Sequence, residues 1–197
     1  VLSLAERRRA QEPSPDVWLL FAPVKKSATD LIVEKAVELG VSLIVPVRTR
    51  WTNAPPVRAD RLQRIIVEAA EQTERLDLPE VGSEVSLEEM LEGWDAGRVL
   101  FFCDESGDEP EAPWGGRGVR APDIASVVAR EGAGPAAILI GPEGGFAPEE
   151  RAALRKQDFV RPVSLGPRVL RAETAVIAAL SVWQVVAGDW PSTAPQN

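Results

Sequence analysis

The sequence predicts an α/β domain, a mostly parallel sheet flanked by helices. Three observations carry this reading. Short, continuously apolar runs such as residues 136–140 read as fully buried strands, because they are too brief for helices. They alternate with longer segments of helical periodicity almost throughout the chain. Two of the strands run into a Gly-Pro turn that opens a helix, at Gly141-Pro142 and at Gly166-Pro167.

The elements follow in order. Residues 1–16 are polar and contain Pro13-Ser14-Pro15, so they read as a linker or a remnant of something upstream. Val1 rather than Met opens the chain, as in a fragment. Residues 17–22, with Trp18, Leu19, Leu20 and Phe21, form the first strand. Ser27 with Asp30 fits a capping box for a helix that runs to Leu39, and Gly40 is its natural stop. Residues 41–47 are the second strand. Asp60 suits the cap of a helix through Thr73, where Leu62, Ile65, Ile66, Ala69 and Thr73 share one face. Residues 99–103 are a third buried strand. Residues 107–122 are rich in Gly and Pro and lack periodicity. Residues 124–130 read as a helix ended near Gly132. Strand 136–140 precedes a helix whose first turn holds Pro148, Glu149 and Glu150. Residues 159–164 are the last strand and 172–187 the last helix. Residues 189–197, rich in Pro, Ser and Thr, form a flexible tail. The folded domain is thus 17–188.

Composition removes several kinds of chemistry. The chain has 197 residues, 45% of them hydrophobic, and a net charge of -8. That charge argues against broad nonspecific binding to nucleic acid. The absence of histidine excludes Ser-His-Asp and Cys-His catalysis and removes the commonest metal ligand. The single Cys103 excludes an intramolecular disulfide and a cysteine-cluster metal site, so no metal is expected. No apolar run is long enough for a membrane span, and a reducing cytoplasm fits. There is no G-x-x-x-x-G-K-[ST] loop, no G-x-G-x-x-G fingerprint and no G-x-S-x-G elbow. Arg48, Arg50, Arg58, Arg61 and Arg64 are locally dense, while acidic residues gather at 84–95 and 104–111. Charge alone favours an ordinary solvated helix there over a basic face.

The two Gly-Pro loops are the candidate site. In an open α/β sheet, ligands bind in the crevice beyond the carboxyl ends of the strands. Gly141, Gly144 and Gly145 permit backbone angles and close approaches that side chains forbid. Gly166 repeats the device after the last strand, and the two loops would form the walls of one crevice.

Four segments resemble a known family. They are Glu34-Lys35-Ala36-Val37-Glu38-Leu39-Gly40-Val41; Glu68-Ala69-Ala70-Glu71-Gln72-Thr73-Glu74-Arg75 with Pro79; Gly141-Pro142-Glu143-Gly144-Gly145-Phe146; and Leu165-Gly166-Pro167-Arg168-Val169-Leu170-Arg171-Ala172-Glu173-Thr174-Ala175. In this order and spacing the chain resembles the methyltransferase domain of the RsmE family, ribosomal RNA uridine-N3 methyltransferases of the SPOUT superfamily. The resemblance covers residues 18–188. It implies a SPOUT-type fold with a carboxyl-terminal trefoil knot, which physics-first reasoning would reject as too rare. It implies S-adenosyl-L-methionine as cofactor, and 16S ribosomal RNA or the small ribosomal subunit as partner. It also implies a homodimer whose active site draws on both subunits. The family target is N3 of uridine 1498. A small PUA-like RNA-binding domain would stand before residues 1–16. Trp51 stands where the resemblance implies a small polar residue.

On this reading Leu139, Ile140, Gly141, Pro142, Gly144, Gly145, Leu165, Gly166, Leu170 and Thr174 hold the cofactor. The aliphatic side chains would wall the adenine, and the glycines would admit backbone hydrogen bonds. The uracil nitrogen must lose its proton, and without histidine the candidate bases are Glu143 and Glu173, or water acting after the uracil is polarised. Arg171 would stabilise the charge spreading to the uracil carbonyl oxygens through its planar fork. Arg171 leads the catalytic candidates, then Glu173, then Glu143, whose alternative role is to tie down its loop. Arg48, Arg50 and Arg75 are candidate phosphate contacts. The competing readings are methylation of another RNA position or of a tRNA, and a non-catalytic module that binds RNA or a nucleotide.

Overall fold

A computed structural model describes residue 6 and residues 14–104 and 121–190. The elements are β1 (Val17–Phe21), α1 (Lys26–Glu38), β2 (Leu43–Arg48), α2 (Ala59–Gln72), β3 (Glu80–Val81), β4 (Val85–Ser86), α3 (Leu87–Glu92), β5 (Val99–Cys103), α4 (Ile124–Glu131), β6 (Ala136–Ile140), α5 (Pro148–Arg155), β7 (Val160–Val163) and α6 (Ala172–Val186). The seven strands form one sheet of order β3-β2-β1-β6-β5-β7, with β4 also on β2. Every pairing is parallel. β6 is inserted between β1 and β5, although both precede it in the chain. The excursion expected at 107–122 lies outside the described residues except for Ala121 and Pro122, as do most of 1–16 and the tail beyond Trp190.

Side-chain alternation divides the core into two layers. Val17, Leu19 and Phe21 of β1 and Ala136, Ile138 and Ile140 of β6 join the buried faces of α1, α2, α4 and α6. Leu20, Ala137 and Leu139 point the other way, onto Leu87 and Met90 of α3 and Leu154 of α5. β6 is buried along its whole length, as a central parallel strand requires. At the amino ends of the strands, Arg98 stacks 3.6 Å above the Trp18 ring and donates to the Asp16 carboxylate (2.8 Å) and the Ala136 carbonyl (2.9 Å).

The helix ends are built differently from the expectation. Ser27 and Asp30 form no capping box. α1 has no side-chain cap, and Thr29 instead accepts from the Val24 N–H and donates to its carbonyl, while Asp30 pairs with Arg61. Asp60 lies inside the first turn of α2 and pairs with Arg58, the residue at the cap position. The acidic stretch at 84–95 holds structure that periodicity did not show. Ser86 and Glu89 make the reciprocal capping box that starts α3. Gly40, at φ +78°, does end α1, and the residue beneath it was not foreseen. Gln184 of α6 is fully buried and donates to the Leu39 carbonyl at 2.6 Å. A Cβ on Gly40 would sit 2.8 Å from its amide nitrogen, and one on Gly188 would sit 1.9 Å from its amide oxygen.

Arg75 is a structural clamp. It donates to the Val37 carbonyl (2.8 Å), the Val41 carbonyl (2.7 Å), Ser14 Oγ (3.2 Å) and both Asp77 carboxylate oxygens (3.1 and 3.0 Å). Its side chain is only 10% exposed. With its donors committed to the end of α1 and the start of β2, it is not a phosphate contact, and that expectation is corrected. Arg75→Ala leaves the Val41 carbonyl without this donor and takes the cation from Asp77, while the Val37 carbonyl keeps the Gly40 N–H and Asp77 keeps Ser14 Oγ. It is expected to cost about 2–4 kcal/mol in urea unfolding. The Arg75 hydrogen bonds hold the Asp77 carboxyl below its ordinary range. Because the folded value is the lower one, this contribution is present above the unfolded value, about 3.9, and is lost as pH falls through the folded one. The urea midpoint is therefore expected to drop below about pH 4, with a shallower drop in Asp77→Asn.

Candidate active site

The carboxyl ends of β5, β6 and β7 open into one cleft of about 410 Å³. Cys103 and Asp104 form its floor at β5. Ile140, Gly141, Pro142, Glu143, Gly145 and Phe146 form one wall, and residues 163–170 form the other, with Ala172 and Ala175 of α6 behind. The two Gly-Pro loops thus face each other, as their strand-end positions predicted. Burial and the neighbouring Asp104 charge push the Cys103 thiol well above its ordinary range, so it acts as a neutral wall group.

Local geometry explains the glycines one by one. A Cβ on Gly141 would lie 2.6 Å from the Phe146 ring. Phe146 is 5% exposed and meets Phe102 edge-on at 4.9 Å, so it has no room to yield. Gly145, at φ +70°, closes the turn by donating to the Pro142 carbonyl at 2.9 Å. Gly166 sits at φ +108°. Gly144 has a different environment. It is exposed, outside the cleft lining, and a Cβ there would lie 3.6 Å from Trp51 Cβ, an ordinary contact.

Several expected cofactor contacts do line the cleft: Ile140, Gly141, Pro142, Gly145, Leu165, Gly166 and Leu170. Leu139 does not, because alternation turns it onto Leu154 and Phe146 in the opposite layer. Thr174 does not either; it is exposed on the first turn of α6 while Ala175 faces the cleft. Among the catalytic candidates, Glu143 lies in the lining. Arg171 and Glu173 flank it at the start of α6, Arg171 at the cap position with no side-chain cap bond. Glu143 is exposed and forms no hydrogen bond among the described residues, so it does not tie down its loop. No Arg171–Glu173 ion pair occurs among the described residues. Arg168, Ser164, Val169 and Asp104 also line the cleft and were missed. Arg168 was legible as a cation between Gly166-Pro167 and Arg171 in the second loop.

Two linkages hold the rim. Asp104, with a side chain 1% exposed, accepts from Arg151 Nε (3.0 Å) and from one terminal nitrogen each of Arg151 (2.9 Å) and Arg155 (2.8 Å), tying β5 to α5. Glu150 accepts from the Ala147 N–H (2.9 Å) and, across the sheet edge, from the Arg50 N–H (2.8 Å). The arginine cluster is mostly neutralised. Arg48 pairs with Glu84 at 2.7 Å, Arg61 with Asp30, and Arg58 and Arg64 with Asp60. Arg50 has no carboxylate partner among the described residues. Arg48 also donates to the Ala54 carbonyl at 3.3 Å, which makes it a brace of the loop after β2.

The cleft has the chemistry of an adenosine-type site. Ile140, Leu165 and Leu170 supply apolar wall. The backbone N–H groups of Leu165, Val169 and Leu170 have no protein partner among the described residues. No group of three Asp, Glu, Cys or His side chains able to hold a metal ion occurs among them.

Comparisons with known proteins agree with this arrangement. A family model described as an RNA methyltransferase domain matches residues 11–184. Ribosomal RNA small subunit methyltransferase E of Rickettsia conorii is 28% identical over 178 residues, which cover 90% of this chain and 68% of that protein. Its namesake in Mycobacterium bovis is 30% identical over 190 residues, covering 91% and 67%. The chain therefore spans about two thirds of the length of these relatives. A crystal structure of ribosomal RNA small subunit methyltransferase E from Neisseria gonorrhoeae bound to S-adenosyl methionine superposes with a TM-score of 0.72 at 26% identity, covering 89% of this chain and 68% of that one. A parallel sheet with β6 inserted beside β1, a cleft between two Gly-Pro loops and a match along nearly the whole chain have one consequence: this chain belongs to the RNA methyltransferase domain family, in its ribosomal RNA small subunit methyltransferase E group.

Proposed function

We propose that this chain binds S-adenosyl-L-methionine in the cleft between its two Gly-Pro loops and methylates N3 of a uridine in 16S ribosomal RNA. The observation that carries this reading is that both loops border a single cleft with an apolar wall and unpartnered backbone donors. The SAM-bound Neisseria gonorrhoeae relative of matching fold supports it. Such a substrate puts the work in the cytoplasm, on ribosomal RNA or the small subunit. Among the described residues no helix is long and apolar enough to cross a membrane. The family's carboxyl-terminal knot belongs to the same proposal.

When bound, S-adenosyl-L-methionine supplies an electrophilic methyl group. The residues of the chain then have three tasks. Ile140, Leu165 and Leu170 grip the apolar face of the ligand while the loop backbone fixes its polar edge. Glu143, an exposed carboxylate at the mouth of the cleft, accepts the uracil N3 proton. Arg171 would direct its donor fork to one uracil carbonyl oxygen that gains charge, leaving N3 open to the methyl group. Alignment of acceptor and donor supplies much of the rate. Arg171 and Glu173 flank the cleft rather than line it, which favours a site completed across a homodimer. Exposed Val185 on α6 and Val169 just before it supply apolar surface for that contact.

Cofactor binding is expected in the micromolar range, about -8 kcal/mol. Gly141→Ala drives a methyl into Phe146 and is expected to weaken it at least tenfold, while Gly144→Ala leaves it near wild type. Equal calorimetric affinities for the two variants would move the cofactor elsewhere.

Arg171→Lys is expected to lose most of its single-turnover rate on a 16S RNA fragment and to keep its cofactor affinity, because only the bidentate fork is removed. Wild-type rates at saturating cofactor would remove Arg171 from the catalytic machinery.

Light scattering is expected to give a dimer mass across a tenfold range of concentration. A monomer mass would confine the site to one chain.

A further inference from the structure

Trp51 is 41% exposed, in a chain whose Trp183 is 2% exposed. The loop that carries it is firmly built. The Thr52 N–H donates to the Thr49 carbonyl at 3.1 Å, and the Thr49 N–H donates to Thr52 Oγ1 at 3.0 Å. The two threonine hydroxyls lie 2.9 Å apart. Arg50 and Trp51 are the two central residues of this turn. The Arg50 N–H donates to Glu150 of α5 at 2.8 Å, which anchors the apex of the turn to the helix that follows the first cleft loop. The indole therefore sits on a braced platform.

Its position is specific. Trp51 lies against Gly144, whose neighbours Glu143 and Gly145 both line the cleft. Gly144 brings no side chain to cover the ring. The residues beside Trp51 in the chain, Arg50, Thr52 and Asn53, are polar, and the other exposed large hydrophobic residues among those described, at 67, 76, 78, 169, 185 and 190, all lie on other segments, so this loop carries no broad apolar patch of its own of the kind a protein partner covers. A lone indole edged by a cation suits one flat ring and one phosphate. Arg50 is exposed, and it is the member of the local arginine cluster without a carboxylate partner among the described residues.

We propose that Trp51 is a stacking platform for an unpaired nucleobase of the RNA substrate at the mouth of the cleft, with the Arg50 guanidinium on a neighbouring backbone phosphate. The proposal rests on the reading of the cleft as an RNA methylation site. Stacking on an aromatic side chain tolerates any base, so Trp51 orders the strand near the acceptor without selecting its sequence. Trp51 is thus a positioning residue.

The test uses the whole chain with a fluorescein-labelled single-stranded fragment of 16S RNA that spans the target uridine, read by anisotropy, beside calorimetric titration with S-adenosyl-L-methionine. Trp51→Ala is expected to weaken RNA binding about tenfold and Trp51→Phe no more than about threefold, with unchanged cofactor affinity and thermal midpoint. Arg50→Gln is expected to weaken binding and to reduce the slope of affinity against log salt by about one. RNA affinity equal to wild type in Trp51→Ala overturns the platform, as does a wild-type chain that fails to bind this RNA. A dimer mass lost in Trp51→Ala by light scattering also overturns it, because the indole then faces a second copy. If wild type binds the RNA but not S-adenosyl-L-methionine, the methylation reading falls, and the anisotropy series still decides the platform.

Discussion

The carboxyl edge of the sheet depends on how Phe146 is seated. The ring lies beneath Gly141, edge-on to Phe102, in the layer that also holds Leu139 and Leu154. To bring a residue five positions past Gly141 back under it, the chain must reverse tightly. Gly145 with its left-handed φ and the bond to the Pro142 carbonyl accomplish this. The loop is thereby closed by packing below as well as by hydrogen bonding within. Its outer surface is left free to form a wall, with Glu143 and Gly144 at the tip. A side chain at Gly141 and the Phe146 ring, backed by Phe102, cannot both fit. The glycine requirement there is one of volume and that at Gly145 one of backbone angle, though both glycines belong to one short motif.

Charge fixes the loop from two further directions. Asp104 is taken out of water at the end of β5, and the arginine forks of α5 offset that cost only because they reach it at hydrogen-bonding distance from two turns of one helix. Glu150 spends one carboxylate oxygen on the start of the same helix and the other on the loop after β2. α5 therefore acts as a strut. It joins the floor of the cleft, the first Gly-Pro loop and the Arg50–Trp51 turn into one mechanical unit. A ligand that settles in the cleft meets walls already in position, so less of its binding free energy goes into ordering loops.

Long-period features were legible in the sequence, and contacts between distant segments were not. β6 has the bounds that its unbroken apolar run predicted, and α6 differs by a single residue at its end. Both signals are local. The caps failed for two reasons: Asp60 pairs with its near neighbour Arg58, whereas Asp30, the partner expected for Ser27, pairs with Arg61 from a distant segment. The short β3 and β4 were invisible because two residues carry no periodicity. Arg75 read as a free cation because Val37, Val41 and Ser14 lie far from it in sequence. Leu139 was assigned to the cleft because a buried strand is apolar on both faces, and only pairing reveals which face each side chain takes. The two-loop cleft itself was legible, since both its walls follow strands that end in Gly-Pro.

The two edges of the sheet have a consequence for how the protein behaves at high concentration. One edge is made of β3 and β4, two residues each, placed end to end along β2. The other is β7. The carbonyls of Phe159 and Val163 accept from Leu100 and Asp104, so the alternation of a strand turns the Pro162 nitrogen to the open side, where it has no hydrogen to donate. The Asp123–Ser164 bridge covers the end of the same strand. Neither margin offers a long run of free donors and acceptors to a foreign strand. A seven-stranded parallel sheet is slow to assemble, and its half-formed states risk joining edge to edge into aggregates. Here that risk is limited by two-residue strands on one side and a proline on the other.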